Sequence, residues 1–110
     1  MLHSDGAIRE LIPDLIDLGI DIIDPVQANC PGMDPESLKR DFGDSLCFHG
    51  VMDSQELLPQ GSPEEVLSEA RRLVEIMGVD GGLALNANNA FQIDVPVANV
   101  LALYDGIGAE

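Results

Sequence analysis

The chain has 110 residues, 45% of them hydrophobic, which is enough to form the core of one small domain. Its 20 acidic and 5 basic side chains give a formal net charge of −15, which argues against nucleic acid or an anionic membrane as a partner. The two cysteines form no CxxC pattern, and no apolar stretch approaches the ~18 residues of a membrane span. With no recognisable signal peptide, the sequence predicts a cytoplasmic protein.

The chain opens on a polar segment, His3 to Gly6, followed by helical periodicity from Ala7 to Leu18. Met1 and Leu2 are too few to predict a strand of their own. The polar segment is typical of the loop that follows a strand, where α/β folds place their chemistry. Pro13 predicts a kink in the helix or a restart of it.

Three short apolar runs predict strands at residues 20–24, 45–49 and 82–86. Their inward-facing positions are largely apolar, and Cys47, which lies inside a strand, is predicted to be in the core. Because a sheet of this kind leaves edges and a face to be covered, the sequence predicts self-association into a homo-oligomer, most simply a two-fold dimer that completes a barrel-like core, or else aggregation.

Helices are predicted between and after these strands. An N-cap and a proline, Asp34-Pro35, begin a helix that runs to about Phe42. The capping box at 62–65 begins a helix that ends at Gly78. A single turn at 54–57, a last helix from Pro96 to about Tyr104 and a frayed end at residues 106–108 complete the prediction.

Alternating strands and helices predict parallel pairing with right-handed crossovers. The 110 residues hold about four such units in one domain, residues 1–110, whereas a complete (β/α)8 barrel has eight. The fold class predicted is therefore α/β, either half of a TIM barrel with outer helices or an open three-layer sheet.

Four polar loops should meet where the parallel strands end. They are residues 3–6, 24–32, 49–58 and 86–94. None of these loops contains lysine or arginine, so their acidic side chains would repel a substrate with many carboxylates.

Several ordered motifs carry a family resemblance. They are His3-Ser4-Asp5-Gly6, Pro25-Val26-Gln27, Phe48-His49-Gly50-Val51-Met52-Asp53, Gly61-Ser62-Pro63-Glu64-Glu65-Val66 and Gln92-Ile93-Asp94-Val95-Pro96. Together they resemble the C-terminal half of the uroporphyrinogen decarboxylase superfamily, closest to its zinc- and corrinoid-linked methyltransferase-like branch. The resemblance implies a (β/α)8 barrel whose N-terminal half is not in this chain.

The resemblance also implies site residues. In the methyltransferase branch a His and a Cys two residues apart bind zinc; here His3 matches the His, and Asp5 stands in place of the Cys. These two are the metal candidates, with Cys30 as a possible substitute ligand. His49 and Asp53 are the catalytic candidates, although Asp53 could instead cap the following turn. The predicted substrate pocket consists of Gln27, Asn86, Asn89 and Gln92.

Three functions remain open from the sequence. The first is part of a methyltransferase-like enzyme that acts on a small molecule, with a corrinoid protein or thiol as partner and zinc as a possible cofactor. The second is a uroporphyrinogen decarboxylase, a lyase of porphyrin biosynthesis. The third is a non-catalytic half-barrel that acts by assembly.

Overall fold

A computed structural model describes residues 1–108, so the last two residues of the predicted domain lie outside the described residues. The elements, in chain order, are β1 (Leu2–His3), a 3₁₀ helix (Arg9–Leu11), α1 (Ile12–Asp17), β2 (Ile22–Asp24), α2 (Pro35–Phe42), β3 (Cys47–His49), α3 (Leu57–Gln60), α4 (Pro63–Met77), β4 (Leu83–Ala84) and α5 (Val97–Gly106). The fold is α/β, as predicted.

The four strands form one parallel sheet in the sequential order β1-β2-β3-β4. The predicted parallel pairing of the strands in the runs 20–24, 45–49 and 82–86 is confirmed, although each strand is shorter than its apolar run. The sequence prediction was wrong about the first residues, because Leu2–His3 pairs with β2 as a strand. Two residues carry no periodic signal, and the backbone of β2 supplies the partner that makes them a strand.

The helices cover only one face of the sheet. Ile23 and Phe48 point to that face and are buried in a core that includes Ile12 of α1, Leu38 of α2 and Leu103 of α5. The structure thus has two layers rather than three. Right-handed crossovers between strands in sequential order explain this, because each crossover places its helix on the same side.

The opposite face of the sheet is open, and two predictions about it were wrong. Cys47 is exposed rather than in the core, because no layer formed by residues 1–108 covers its face. The strand positions on the open face were predicted to be largely apolar, and they are not. The polar residues His3, Asp24 and His49 share this face with Ile22 and Ala84.

Local signals set the helix boundaries. The predicted restart at Pro13 is confirmed, since this residue lies in the first turn of α1. The Ser62 hydroxyl accepts from the Glu65 amide while the Glu65 carboxylate accepts from the Ser62 amide, so the predicted capping box is present at α4. The single turn predicted at 54–57 lies later, at Leu57–Gln60, and α5 continues to a buried Gly106 instead of fraying.

Helices α4 and α5 pack closely along their lengths. Buried Asn99 on α5 donates from Nδ2 to the carbonyl oxygens of Leu58 and Gly61, each at 2.8 Å. These bonds tie α5 to α3 and to the start of α4. Within residues 1–108, no helix is long and apolar enough to cross a bilayer.

Gly106 tests the α4–α5 contact. A helical glycine replaced by alanine ordinarily gains about 1 kcal/mol of stability. Here a Cβ at position 106 would lie 2.5 Å from the Ala70 Cβ, so we expect Gly106→Ala to lose about 1–3 kcal/mol of unfolding free energy instead. Urea unfolding measures the change. Adding Ala70→Gly should recover part of the loss, whereas a stabilised Gly106→Ala would contradict this packing.

Candidate functional site

Three polar side chains line up across the open face of the sheet. The pairing register places His3 of β1 opposite Asp24 of β2, and the β2–β3 register continues the row to His49 of β3. All three are the last residues of their strands. The carboxyl ends of parallel strands are where α/β folds carry their sites, so this row is the candidate functional site.

The Asp24 carboxylate lies between the two imidazoles. Its Oδ2 is 2.8 Å from Nδ1 of His3, and its Oδ1 is 2.8 Å from Nδ1 of His49. A carboxylate only accepts hydrogen bonds, so each Nδ1 must carry a proton and donate it. In the neutral rings the lone pair is then on Nε2. Both rings therefore present a basic nitrogen with a fixed tautomer.

The row is accessible to a ligand and electrostatically coupled. The His3 side chain is 64% exposed and that of His49 36%, against 18% for Asp24. The hydrogen bond to Asp24 raises the pKa of His3 above its ordinary value of 6.5. Burial raises the pKa of Asp24, but the hydrogen bonds from His49 and His3 outweigh it, so the net pKa of Asp24 lies below 3.8.

A glycine makes room for the central carboxylate. Gly50 follows β3 with a φ of +65°, and a Cβ there would lie 3.0 Å from Asp24 Oδ1 and 2.9 Å from the Ala87 carbonyl oxygen. The carbonyl oxygen of Gly50 accepts a hydrogen bond from the Val26 amide at 2.8 Å. Only glycine combines this backbone conformation with so close an approach, so Gly50 helps to hold Asp24 in the row.

The loop after β1 borders the same row. Asp5 Oδ2 is 3.6 Å from Nε2 of His3, so the two residues predicted as metal ligands form an exposed ion pair when the imidazole is protonated. The Gln27 side-chain oxygen accepts a hydrogen bond from the Gly6 amide and so connects the loop after β2 to the loop after β1. Three of the predicted site residues, His3, Asp5 and His49, are thus brought together.

Asp53, the other predicted catalytic residue, holds a turn. Its carboxylate accepts from the amides of Gln55 at 2.9 Å and Leu57 at 3.2 Å. This is the capping arrangement that the sequence left open as an alternative. The carboxylate oxygens are occupied by backbone donors, so Asp53 shapes the connection to α3.

The remaining predicted pocket residues follow β4. Asn86 accepts from the Tyr104 hydroxyl at 3.3 Å, and the exposed Asn89 accepts from the Ala90 amide at 2.8 Å in a local turn. Gln92 is exposed. The buried amide in this loop is Asn88, whose Oδ1 accepts from the hydroxyl of Ser54 at 2.6 Å. It ties the loop after β4 to the loop after β3.

Sequence reasoning left Asp24 out of its site residues. The sequence did contain a signal for it, because Asp24 is the last residue of a β-branched run and directly precedes Pro25. What the sequence lacks is the register. Only the pairing of His3 with Asp24 shows that the loop-like first residues bring a histidine to this carboxylate.

The site does not fit the zinc centre that the family resemblance implies. Within residues 1–108, no group of three or more His, Cys, Asp or Glu side chains is arranged to hold a metal ion. Cys30, the substitute ligand considered from sequence, is half-buried and packs against the core. A catalytic zinc ordinarily takes three protein ligands and keeps one open position.

Comparisons with known proteins give no family for this chain: no protein-family model matches it, and a search of curated proteins finds no match.

Asp24→Asn tests the row. Because the pKa of His3 is raised in the folded state, its hydrogen bond to Asp24 stabilises the fold fully below pH 6.5, the ordinary pKa of the ring. This stabilisation is lost as the pH rises through the raised pKa of the folded state. The lowered pKa of Asp24 means that this stability is lost as the pH falls below 3.8. We therefore expect the stability lost in Asp24→Asn to be largest between those two values, with the His3 pKa falling toward 6.5.

Urea unfolding across pH and an NMR titration of the imidazole protons measure both effects. Asp21→Asn is the matched control, because Asp21 is exposed and lies just before the start of the same strand. Equal His3 pKa shifts in the two variants would contradict the assignment.

Proposed function

We propose that this chain supplies the C-terminal half of a barrel enzyme of the methyltransferase-like branch of the uroporphyrinogen decarboxylase superfamily. In this proposal the imidazoles of His49 and His3 transfer protons to and from a small-molecule substrate, and Asp24 positions both rings. The observation that carries the proposal is the single carboxylate shared by two histidines at the ends of neighbouring strands.

The half-barrel part of the proposal is supported by the sheet. Sequential strand order without a reversal, together with helices on one face, is the arrangement of a barrel wall. A doubly wound sheet would instead reverse its order and carry helices on both faces. In a closed barrel the open face becomes the interior, and the row of His3, Asp24 and His49 lies at its carboxyl-terminal mouth.

The chemical part is supported by the tautomers. A histidine that donates from Nδ1 to a carboxylate presents an Nε2 lone pair that accepts a proton, and the carboxylate stabilises the imidazolium that forms. Two such rings on one carboxylate allow one to act as base and the other, when protonated, as acid. His3, with its raised pKa, is the better candidate for the protonated partner near neutral pH.

Proton transfer suits these residues better than the branch's zinc chemistry. Zinc would supply a Lewis acid that activates a thiol, but the row offers no thiolate in the position where the family has Cys, since Asp5 stands there. A corrinoid protein therefore remains a partner suggested by resemblance alone. No step of the proposed proton transfer needs a metal.

Decarboxylation is the second candidate, favoured by the same proton-carrying histidines. Loss of CO₂ without a cofactor leaves a carbanion that must take up a proton, and a protonated imidazole can deliver it. Asp24 ends β2, and four more acidic residues, Asp5, Asp53, Glu56 and Asp94, lie in the polar loops at residues 3–6, 49–58 and 86–94, which contain no lysine or arginine. A monocarboxylate is therefore a better substrate for this chain than uroporphyrinogen, which carries eight carboxylates.

A generic reporter tests the basic nitrogens without a known substrate. We expect the chain to hydrolyse 4-nitrophenyl acetate faster than the same concentration of free imidazole. Asp24→Asn should lower this rate by about 10-fold or more, toward the low end of what positioned acid–base groups contribute, and His49→Gln should lower it similarly. The release of 4-nitrophenolate at 400 nm measures the rate.

Asp21→Asn again serves as control and should leave the rate unchanged. Circular dichroism on each variant separates loss of chemistry from loss of fold. A wild-type rate no greater than that of free imidazole would contradict the proposed role of the row, as would equal rates in Asp24→Asn and the control.

A further inference from the structure

We infer that two copies of this chain associate through their sheet edges, with β4 and α5 of one copy against β1 and α1 of the other. This inference rests on the half-barrel part of the proposed function, with a second copy in the place of the N-terminal half, and not on its chemistry. The assembly would be a two-fold dimer with eight parallel strands.

The sheet ends in two strands that each have one free side. In residues 1–108, β1 pairs only with β2 and β4 pairs only with β3. Both strands run in the same direction, so β4 of one copy can pair in parallel with β1 of another. A free strand edge carries backbone donors and acceptors that are available to a further strand.

Helix α5 carries an uncovered apolar stripe. One side, including Asn99, Leu103 and Gly106, is buried against α3 and α4. The other side exposes Val97, Leu101 and Tyr104 at a spacing of about one turn each, and the Leu101 residue is 60% exposed. A helix that is apolar on all sides ordinarily has neighbours on all sides.

This stripe lies on the side of the β4 edge. The Tyr104 hydroxyl donates to Oδ1 of Asn86, two residues beyond the end of β4. The connection between β4 and α5 also carries exposed apolar side chains, Phe91 and the fully exposed Ile93. The uncovered surface therefore includes both the edge strand and the helix that follows it.

The other edge of the sheet has a matching apolar surface. Arg9 contacts α2, where its guanidinium donates to the Ser37 hydroxyl at 2.9 Å and pairs with Asp41. Leu11 and Leu18 are about half a helical turn away from Arg9 around the axis and point away from α2. They are exposed, Leu18 by 79%, on the segment that follows β1.

The occupant that fits both edges is a second copy. Because the two contacts are related by a two-fold axis, each formed contact brings the other into place, and four strands from each copy give the eight of a closed parallel barrel. No strand edge is then left free.

The exposed apolar side chains supply about half of the area that a specific dimer needs. Burying one large apolar side chain removes on the order of 100 Å² from water, by the ratio of its transfer free energy to the free energy per unit area. The dimer has two equivalent contacts, so each exposed apolar side chain of a copy is buried once and counts twice in the total. These side chains are Val97, Leu101 and Tyr104 on one edge, and Leu11 and Leu18 on the other. In the monomer these side chains are already partly buried, with exposures between 42% and 79%. They therefore remove on the order of 600 Å², and the paired strand edges must supply the rest of the roughly 1,000 Å² that a specific interface needs.

Charge opposes the association. Each copy carries a formal net charge of −15, so two copies repel at low ionic strength. Salt screens this repulsion and strengthens the contact between apolar surfaces. The dimer should therefore become tighter as salt is raised, unlike an assembly held by ion pairs.

Sedimentation velocity from 1 to 100 µM, at 0.15 and 0.5 M NaCl, tests the inference. We expect a dimer of the wild type that is at least 10-fold tighter at the higher salt. Leu101→Glu and Leu18→Glu should each weaken the dimer by more than 10-fold. Val79→Glu is the matched control, because Val79 is exposed after α4 beside residues of α2, and it should leave the dimer unchanged.

Hydrogen–deuterium exchange of the wild type provides a measurement that needs no variant. Amides of β1 and β4 should exchange more slowly at 100 µM than at 1 µM. A folded monomer at 100 µM would overturn the inference. So would a dimer that Leu101→Glu disrupts and Leu18→Glu does not, because it would be formed by α5 alone. Ester hydrolysis depends on the histidine row, so its failure would leave this result standing.

Discussion

The Asp24 carboxylate is the interaction on which the site depends. It accepts hydrogen bonds from imidazoles on both neighbouring strands and thereby fixes the tautomer of each ring. Without it, His3 would be an exposed side chain on a two-residue edge strand, and His49 would have no orienting partner at Nδ1. Gly50 permits this arrangement, because any side chain at that position would meet Asp24 or the backbone of Ala87.

The one-sided sheet explains why these polar residues can share a face. Sequential right-handed crossovers place the helices behind Ile23 and Phe48, and the residues that alternate with them point the other way. A carboxylate and two imidazoles can occupy this face because water, a ligand or another layer can reach them. The same arrangement leaves free edges and apolar helix surfaces, so the exposure that permits chemistry also favours association.

Much of the architecture follows from local sequence signals, and the site follows less directly. The Ser62 capping box and the Asp34-Pro35 pair predict their helices because their determinants lie within a few residues. The two-residue β1 could not be predicted, because its stability comes from β2. Cys47 was assigned to the core because it lies inside a strand, but a position inside a strand does not say which of the two faces is covered. Asp24 required the register, a long-range property.

Long-range ¹H–¹⁵N correlation NMR on the uniformly ¹⁵N-labelled chain, near pH 8.5, tests the central claim most directly. It identifies which nitrogen of each neutral imidazole carries the proton. The shared carboxylate predicts the Nδ1–H tautomer for both His3 and His49. Asp24→Asn keeps one acceptor oxygen and replaces the other with an NH₂ donor, so at least one ring should shift toward the Nε2–H form that free histidine prefers. A wild type in which both rings already show the Nε2–H form would contradict the account, because Asp24 would then receive no proton from either ring.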